Sequence, residues 1–182
     1  MAMKNIKFIE PTTFGIDFDG TCTTHEFPAI GKDIGAETVL KRLVEVGHKL
    51  ILWTMRSDTQ PTTFENEFGK FRNTHTGKFL TDAVNWFISN DIPLYGIQSN
   101  PTQKHWTHSP KCYAEVYIDD AALGCPLKQD PLLFKQEDFL EKYGYSPFLS
   151  PIQSDGYCRY EVARPYVDWS MVASILESKN II

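Results

Sequence analysis

The chain has no run of about 18 consecutive apolar residues, the length a helix needs to cross a bilayer. Its opening residues, Met1-Ala2-Met3-Lys4-Asn5-Ile6-Lys7, hold no apolar stretch of the length a secretory signal requires. Membrane insertion and export are therefore not expected, and a cytoplasmic location is. Cysteine is sparse: Cys22, Cys112, Cys125 and Cys158 are scattered without Cys-x-x-Cys spacing, in a chain too long to need disulfide staples. A reducing compartment fits that usage. Internal repeats and low-complexity tracts are also missing. Positive charge is in deficit, with a formal net charge of -5, so no long-range field draws the chain to nucleic acid or to an anionic membrane. Neither is an expected partner.

What remains is ordinary for a folded chain: 182 residues, 42% apolar and 23% charged. That length buries the core of one domain, at most with a modest appendage. Phe14-Gly15-Ile16-Asp17-Phe18 reads as a buried strand running into a loop. Ala36, Val39, Leu40 and Leu43 recur at helical spacing, and Gly47 supplies the stop. Lys49 to Thr54 is a second buried strand, and 56–78, without a clear period, reads as an elaborated loop. Leu80, Ala83, Val84, Phe87 and Ile88 predict a second helix, followed by strands at 94–97 and 114–118. Alternating strand and helix imply an α/β domain with a parallel sheet. Beyond Gly124 the expectation is a strand around 157–162 and a last helix capped by Asp168 and lined by Val172, Ile175 and Leu176.

In an open parallel sheet, the loops at the carboxyl ends of neighbouring strands converge on the ligand crevice. Here the first strand delivers Asp17 and Asp19, the second Thr54, and the fourth Asp119 and Asp120. Several carboxylates meeting at one point repel one another unless a cation or protons intervene, and oxygen-only ligands favour Mg2+ over zinc. A carboxylate can accept a phosphoryl group directly, with a neighbour shuttling the proton. Asp17 is the expected nucleophile and Asp19 the acid and base. Gly20 lets the chain turn away with its N–H groups facing a phosphate. Thr54 adds a hydroxyl, and Lys111 supplies positive charge in competition with Lys104.

Asp17-Phe18-Asp19-Gly20-Thr21, the apolar strand ending in Thr54, a lysine, and Ile118-Asp119-Asp120 together resemble the four motifs of the haloacid dehalogenase (HAD) superfamily, in the same order. The tail Arg164-Pro165-Tyr166-Val167-Asp168-Trp169 also resembles small HAD-like hydrolases of bacteria and phages. The resemblance implies a Rossmann-like three-layer sandwich and phosphomonoester hydrolysis through an aspartyl phosphate on Asp17. It further implies Mg2+ held by Asp17, the main-chain carbonyl of Asp19, and Asp119 or Asp120. There is no room for a large cap domain, so 1–182 is expected to be a single domain, with 56–78 as a lid-like loop and 125–182 packed on the core as an extension. An open cleft of this kind suits a phosphorylated small molecule when a loop or a second subunit of a homo-oligomer closes it. Two other readings are a non-catalytic phosphate-binding or signalling domain, and a phosphatase acting on nucleic-acid ends.

Other residues carry weaker signals. Arg56 is either a fork for a second anionic group of the substrate or a surface residue. His25 and Glu26 are placed either to line the entrance or to serve the loop's own structure. His105 and His108 lack the further ligands zinc needs. Lys70, Arg72, His75 and Lys78 alternate with Phe68, Phe71 and Phe79, and are read as a solvated lid rather than a strand-binding patch. Cys22 is read as a small packed thiol.

Overall fold

The computed structural model describes residues 10–60, 62–66, 69–73, 76–129 and 164–182, with backbone alone for 62–66 and 69–73. The chain enters its sheet through β1 (Thr13–Ile16), all four residues of which are buried. A long turn leads to α1 (Ala36–Glu45), which buries Ala36, Val39, Leu40 and Leu43. Gly47, at φ 99°, reverses the chain after this helix, and the His48 N–H closes on the Leu43 carbonyl. β2 (Lys49–Leu52) follows at once, with Leu50, Ile51 and Leu52 fully buried.

The segment expected to be a loop contains four short strands: β3 (Asp58–Thr59), β4 (Thr62–Asn66), β5 (Gly69–Asn73) and β6 (Gly77–Lys78). β3 pairs with β6 and β4 with β5, both antiparallel. Strands of two to five residues are too short to display a period of two, and this hides them from a reading of hydrophobic pattern. The Asp58 carboxylate accepts the Thr81 N–H and hydroxyl at 2.9 and 2.6 Å, which ties the β3–β6 ribbon to the first turn of α2 (Phe79–Ser89). β7 (Gly96–Ile97) and β8 (Val116–Ile118) complete the sheet, each shorter than the sequence suggests. β9 (Leu127–Lys128) pairs antiparallel with β10 (Tyr166–Val167), just ahead of α3 (Trp169–Ser178). Asp168 caps α3, accepting the N–H groups of Ser170 and Met171, as expected. The strand expected around 157–162 lies outside the described residues.

The four sheet strands run parallel in the order β7-β2-β1-β8. The register pairs Phe14 with Leu50 and Val116, and Ile16 with Leu52 and Ile118, so these side chains share one face. With Phe18, Ala83, Phe87, Tyr166, Trp169, Val172 and Leu176 they form a core, which the three helices among the described residues cover. The opposite face, carrying Gly15, Ile51 and Tyr117, packs against the segment between β7 and β8 instead. A Cβ on Gly15 would stand 2.8 Å from the Tyr117 ring. The Tyr117 hydroxyl in turn accepts the Ala114 N–H and donates to the Cys112 carbonyl. Among the described residues the expected third layer is therefore irregular chain rather than helix. Ile88 also departs from its expected core position and is 66% exposed. No helix among the described residues is long and apolar enough to cross a membrane.

Candidate metal and acid-base site

The strand order places the site. The chain builds outward from β1 through β2 to β7, then returns across β1 to lay down β8 on its other side. Connections diverge between β1 and β8, the point at which open parallel sheets take their ligands, at the strands' carboxyl ends. Asp17 is the first residue after β1, and Asp119 and Asp120 are the first two after β8. The Asp17 N–H donates to the Ile118 carbonyl at 3.0 Å, locking the two strand ends side by side. One carboxylate oxygen from each of Asp17, Asp119 and Asp120 lies within 4.8 Å of the other two.

That crowding has an electrostatic consequence. The Asp17 carboxyl is pushed up from 3.8 to about 7, first by burial and then by the negative charges of Asp119, Asp120 and Asp19, against a lowering hydrogen bond from the Phe18 backbone. The donor set is all oxygen, which suits a hard divalent cation. Thr21, fully buried, links the two halves: its hydroxyl accepts the Asp120 N–H at 3.1 Å and lies 3.5 Å from Asp17 Oδ2. Cys22 is buried beneath, its thiol donating to the Asp17 carbonyl and pushed well up by burial, which fits a packed thiol.

Gly20 turns the chain at φ 82°, and a Cβ there would lie 2.0 Å from His25 Nε2. That same nitrogen sits 3.0 Å from Asp120 Oδ2. Of the two readings of His25, the structural one describes its place: the ring is buried and bonded to Asp120. Gly20→Ala is expected to destabilise the chain by about 1–2 kcal/mol from the left-handed backbone alone. It should also weaken divalent-cation binding as His25 is driven off Asp120. Thermal melting and a cation titration read the two effects, and a wild-type result in both would show that the turn does not depend on Gly20.

Arg56 also needs correction. It is 2% exposed, and its fork grips Asp19, with Nε 2.7 Å from Oδ2 and Nη2 2.6 Å from Oδ1. Nη2 also donates to the Ala29 carbonyl at 2.7 Å and Nη1 to the Pro28 carbonyl at 3.2 Å. Four of the five N–H donors of a guanidinium are thus engaged with protein, so Arg56 is neither a surface residue nor free for a second anionic group. The sequence held the two partners 37 residues apart, and only the adjacency of β1 and β2 joins them.

Thr54 follows β2 at the same edge of the sheet, but its hydroxyl accepts the Arg56 N–H at 3.3 Å and no hydrogen bond joins it to Asp17. Lys111 is exposed on the segment before β8. Its Nζ stands 6.0 Å from the Tyr117 ring, and it makes no ion pair among the described residues. Lys104, in the single helical turn Gln103–His105, is exposed too. Neither lysine is among the charges that act on Asp17. The side chains of Lys70, Arg72 and the residues around them lie outside the description.

Two contributors escaped the sequence reading. The Gln98 side chain clamps the loop after β2, accepting the Thr54 N–H at 3.1 Å and donating to the Thr54 and Arg56 carbonyls at 2.5 and 3.0 Å. From the tail, Trp169 Nε1 donates to the Thr21 carbonyl at 2.7 Å, and the Val167 N–H to the Gly20 carbonyl at 2.8 Å. The C-terminal segment thereby buttresses the loop that bears Asp19. Gln98 carries no motif, and Trp169 stood out only as part of the tail segment 164–169, with nothing to tie it to the Thr21 loop.

No protein-family model matches the sequence, and no curated protein does. Among solved structures the chain is similar to one described as a conserved protein from Bacteroides thetaiotaomicron, at 26% identity and a TM-score of 0.50. The match covers 78% of this chain and 99% of that chain. The likeness extends to the α/β architecture with its central parallel sheet, and that description names no activity.

Proposed function

We propose that the chain is a Mg2+-dependent phosphomonoester phosphatase of the haloacid dehalogenase type, working through an aspartyl phosphate on Asp17. The observation that carries this reading is the meeting of Asp17, Asp119 and Asp120 within 4.8 Å at the point where the sheet order reverses. Asp17, Asp119, Asp120 and the main-chain carbonyl of Asp19 are the groups that would hold the ion. When bound, it supplies positive charge that offsets the clustered carboxylates and the incoming phosphate.

The residues then divide the chemistry. An Asp17 carboxylate oxygen attacks phosphorus, and the bond from phosphorus to the leaving oxygen breaks as Asp19 delivers a proton to that oxygen. In the second half Asp19 takes a proton from water, which attacks the same phosphorus and frees Asp17. Gly20 keeps the backbone close to this centre, and Thr21 holds the Asp119-Asp120 turn against Asp17. Positive charge for the phosphoryl oxygens falls to Lys111 or Lys104. A small phosphorylated molecule is the proposed substrate.

Phosphate release from 4-nitrophenyl phosphate is expected in the presence of Mg2+, and it should fall to background when a chelator removes the ion. An undiminished rate in chelator would take the metal out of the reading.

A further inference from the structure

The fork of Arg56 on Asp19 is a built arrangement. Asp19 stands where the chain leaves β1 and turns sharply at Gly20, with its side chain 20% exposed. Both its oxygens are nevertheless held, by Nε and Nη2 of one guanidinium. The guanidinium is itself fixed on its far edge by the carbonyls of Pro28 and Ala29. It also lies over the rings of Phe18 and Phe27, with its central carbon 4.9 and 5.3 Å from their centroids. A planar fork held this way transmits its orientation to the carboxylate, which the single point charge of a lysine cannot do.

We propose that Arg56 is a positioning residue that sets the direction of the Asp19 carboxyl toward the leaving group. This inference rests on the phosphatase reading above. In the first half-reaction the bond from Asp17 to phosphorus forms while the bond to the leaving oxygen breaks, and a proton carried on an Asp19 lone pair that the fork leaves open passes to that oxygen. A carboxyl that swings between rotamers makes this transfer rarely. The loss falls on substrates whose leaving oxygen needs the proton, because an alkoxide is a poor leaving group and 4-nitrophenolate departs without help.

The test compares Arg56→Gln and Arg56→Lys with the wild-type chain on 4-nitrophenyl phosphate and on a simple alkyl phosphate. It reads kcat/KM, which reports the steps up to phosphoryl transfer, and thermal melting accompanies each variant. The expected result is a loss of about 100-fold on the alkyl ester and only a few-fold on the aryl ester. Asp19→Asn should show the same selective pattern, and combining it with Arg56→Gln should add little, as two residues acting through one group require. Arg56→Lys, which keeps the charge without the fork, should remain more impaired on the alkyl ester than on the aryl ester, a selectivity that a general loss of stability does not produce. Equal losses on both esters, or full additivity with Asp19→Asn, would overturn the inference and leave the phosphatase reading standing. A wild-type chain that turns over neither ester would overturn both.

Discussion

Asp17→Asn is expected to reduce Mg2+-dependent phosphate release by roughly four to six orders of magnitude, the scale on which a covalent nucleophile is missed. The substitution is close to isosteric. The main-chain contacts at this position, from the Asp17 N–H to the Ile118 carbonyl and from the Cys22 thiol to the Asp17 carbonyl, both survive it. Loss of activity with an intact melting transition therefore isolates the carboxylate itself. Asparagine cannot form the acyl phosphate, so a burst of 4-nitrophenolate in rapid-mixing experiments should disappear along with steady turnover. A variant that retained more than a tenth of the wild-type rate would remove Asp17 as the nucleophile.

The second large effect concerns stability. In the metal-free chain the Asp17 carboxyl sits at about 7 against an ordinary 3.8, because burial and three neighbouring aspartates disfavour its charge. Between those values the folded chain binds a proton that the unfolded chain has released. The contribution of this proton to metal-free stability is therefore full below pH 4, falls as pH rises through the interval, and levels off above 7. The whole drop is at most about 4 kcal/mol. Asp58 and Asp168 shift in the opposite direction, held below the usual carboxylate range chiefly by the hydroxyls of Thr81 and Ser170. Their contributions vanish only below pH 4, outside the window. Urea denaturation at intervals from pH 4 to pH 8 in chelator should show the decline. Mg2+ should restore stability at the alkaline end, since an ion that binds only the folded state stabilises it. Asp17→Asn should lose the part of the decline that Asp17 causes and be more stable than wild type at pH 8 without metal. Metal-free stability that rises from pH 5 to pH 8 would refute this account.

The same pressure explains why the acidic residues stand out in the sequence. A carboxylate at the end of a buried strand is costly unless something answers its charge, so two such strand ends, Ile16-Asp17 and Ile118-Asp119, mark a site before any coordinates exist. The helix from Ala36 and the Asp168 cap were legible for a similar reason, because both rest on contacts within a few residues. Arg56 and His25 were legible as polar residues near the site, but not in their roles. Their partners, Asp19 and Asp120, lie 37 and 95 residues away, and which charge meets which depends on strand order and loop path.

The sequence by itself determined the parallel α/β plan, the strand-end aspartates and the turn at Gly20, all consequences of local pattern and of the cost of burying charge. Only the tertiary structure decided that β8 returns to the flank of β1, so that Asp119 and Asp120 meet Asp17, and that the helices among the described residues share one face of the sheet. It also decided that Arg56 turns inward to grip Asp19 and that Trp169 reaches across 148 residues to hold Thr21. Contacts at such separations are selected by the packing of the whole core, and no short window of residues contains them.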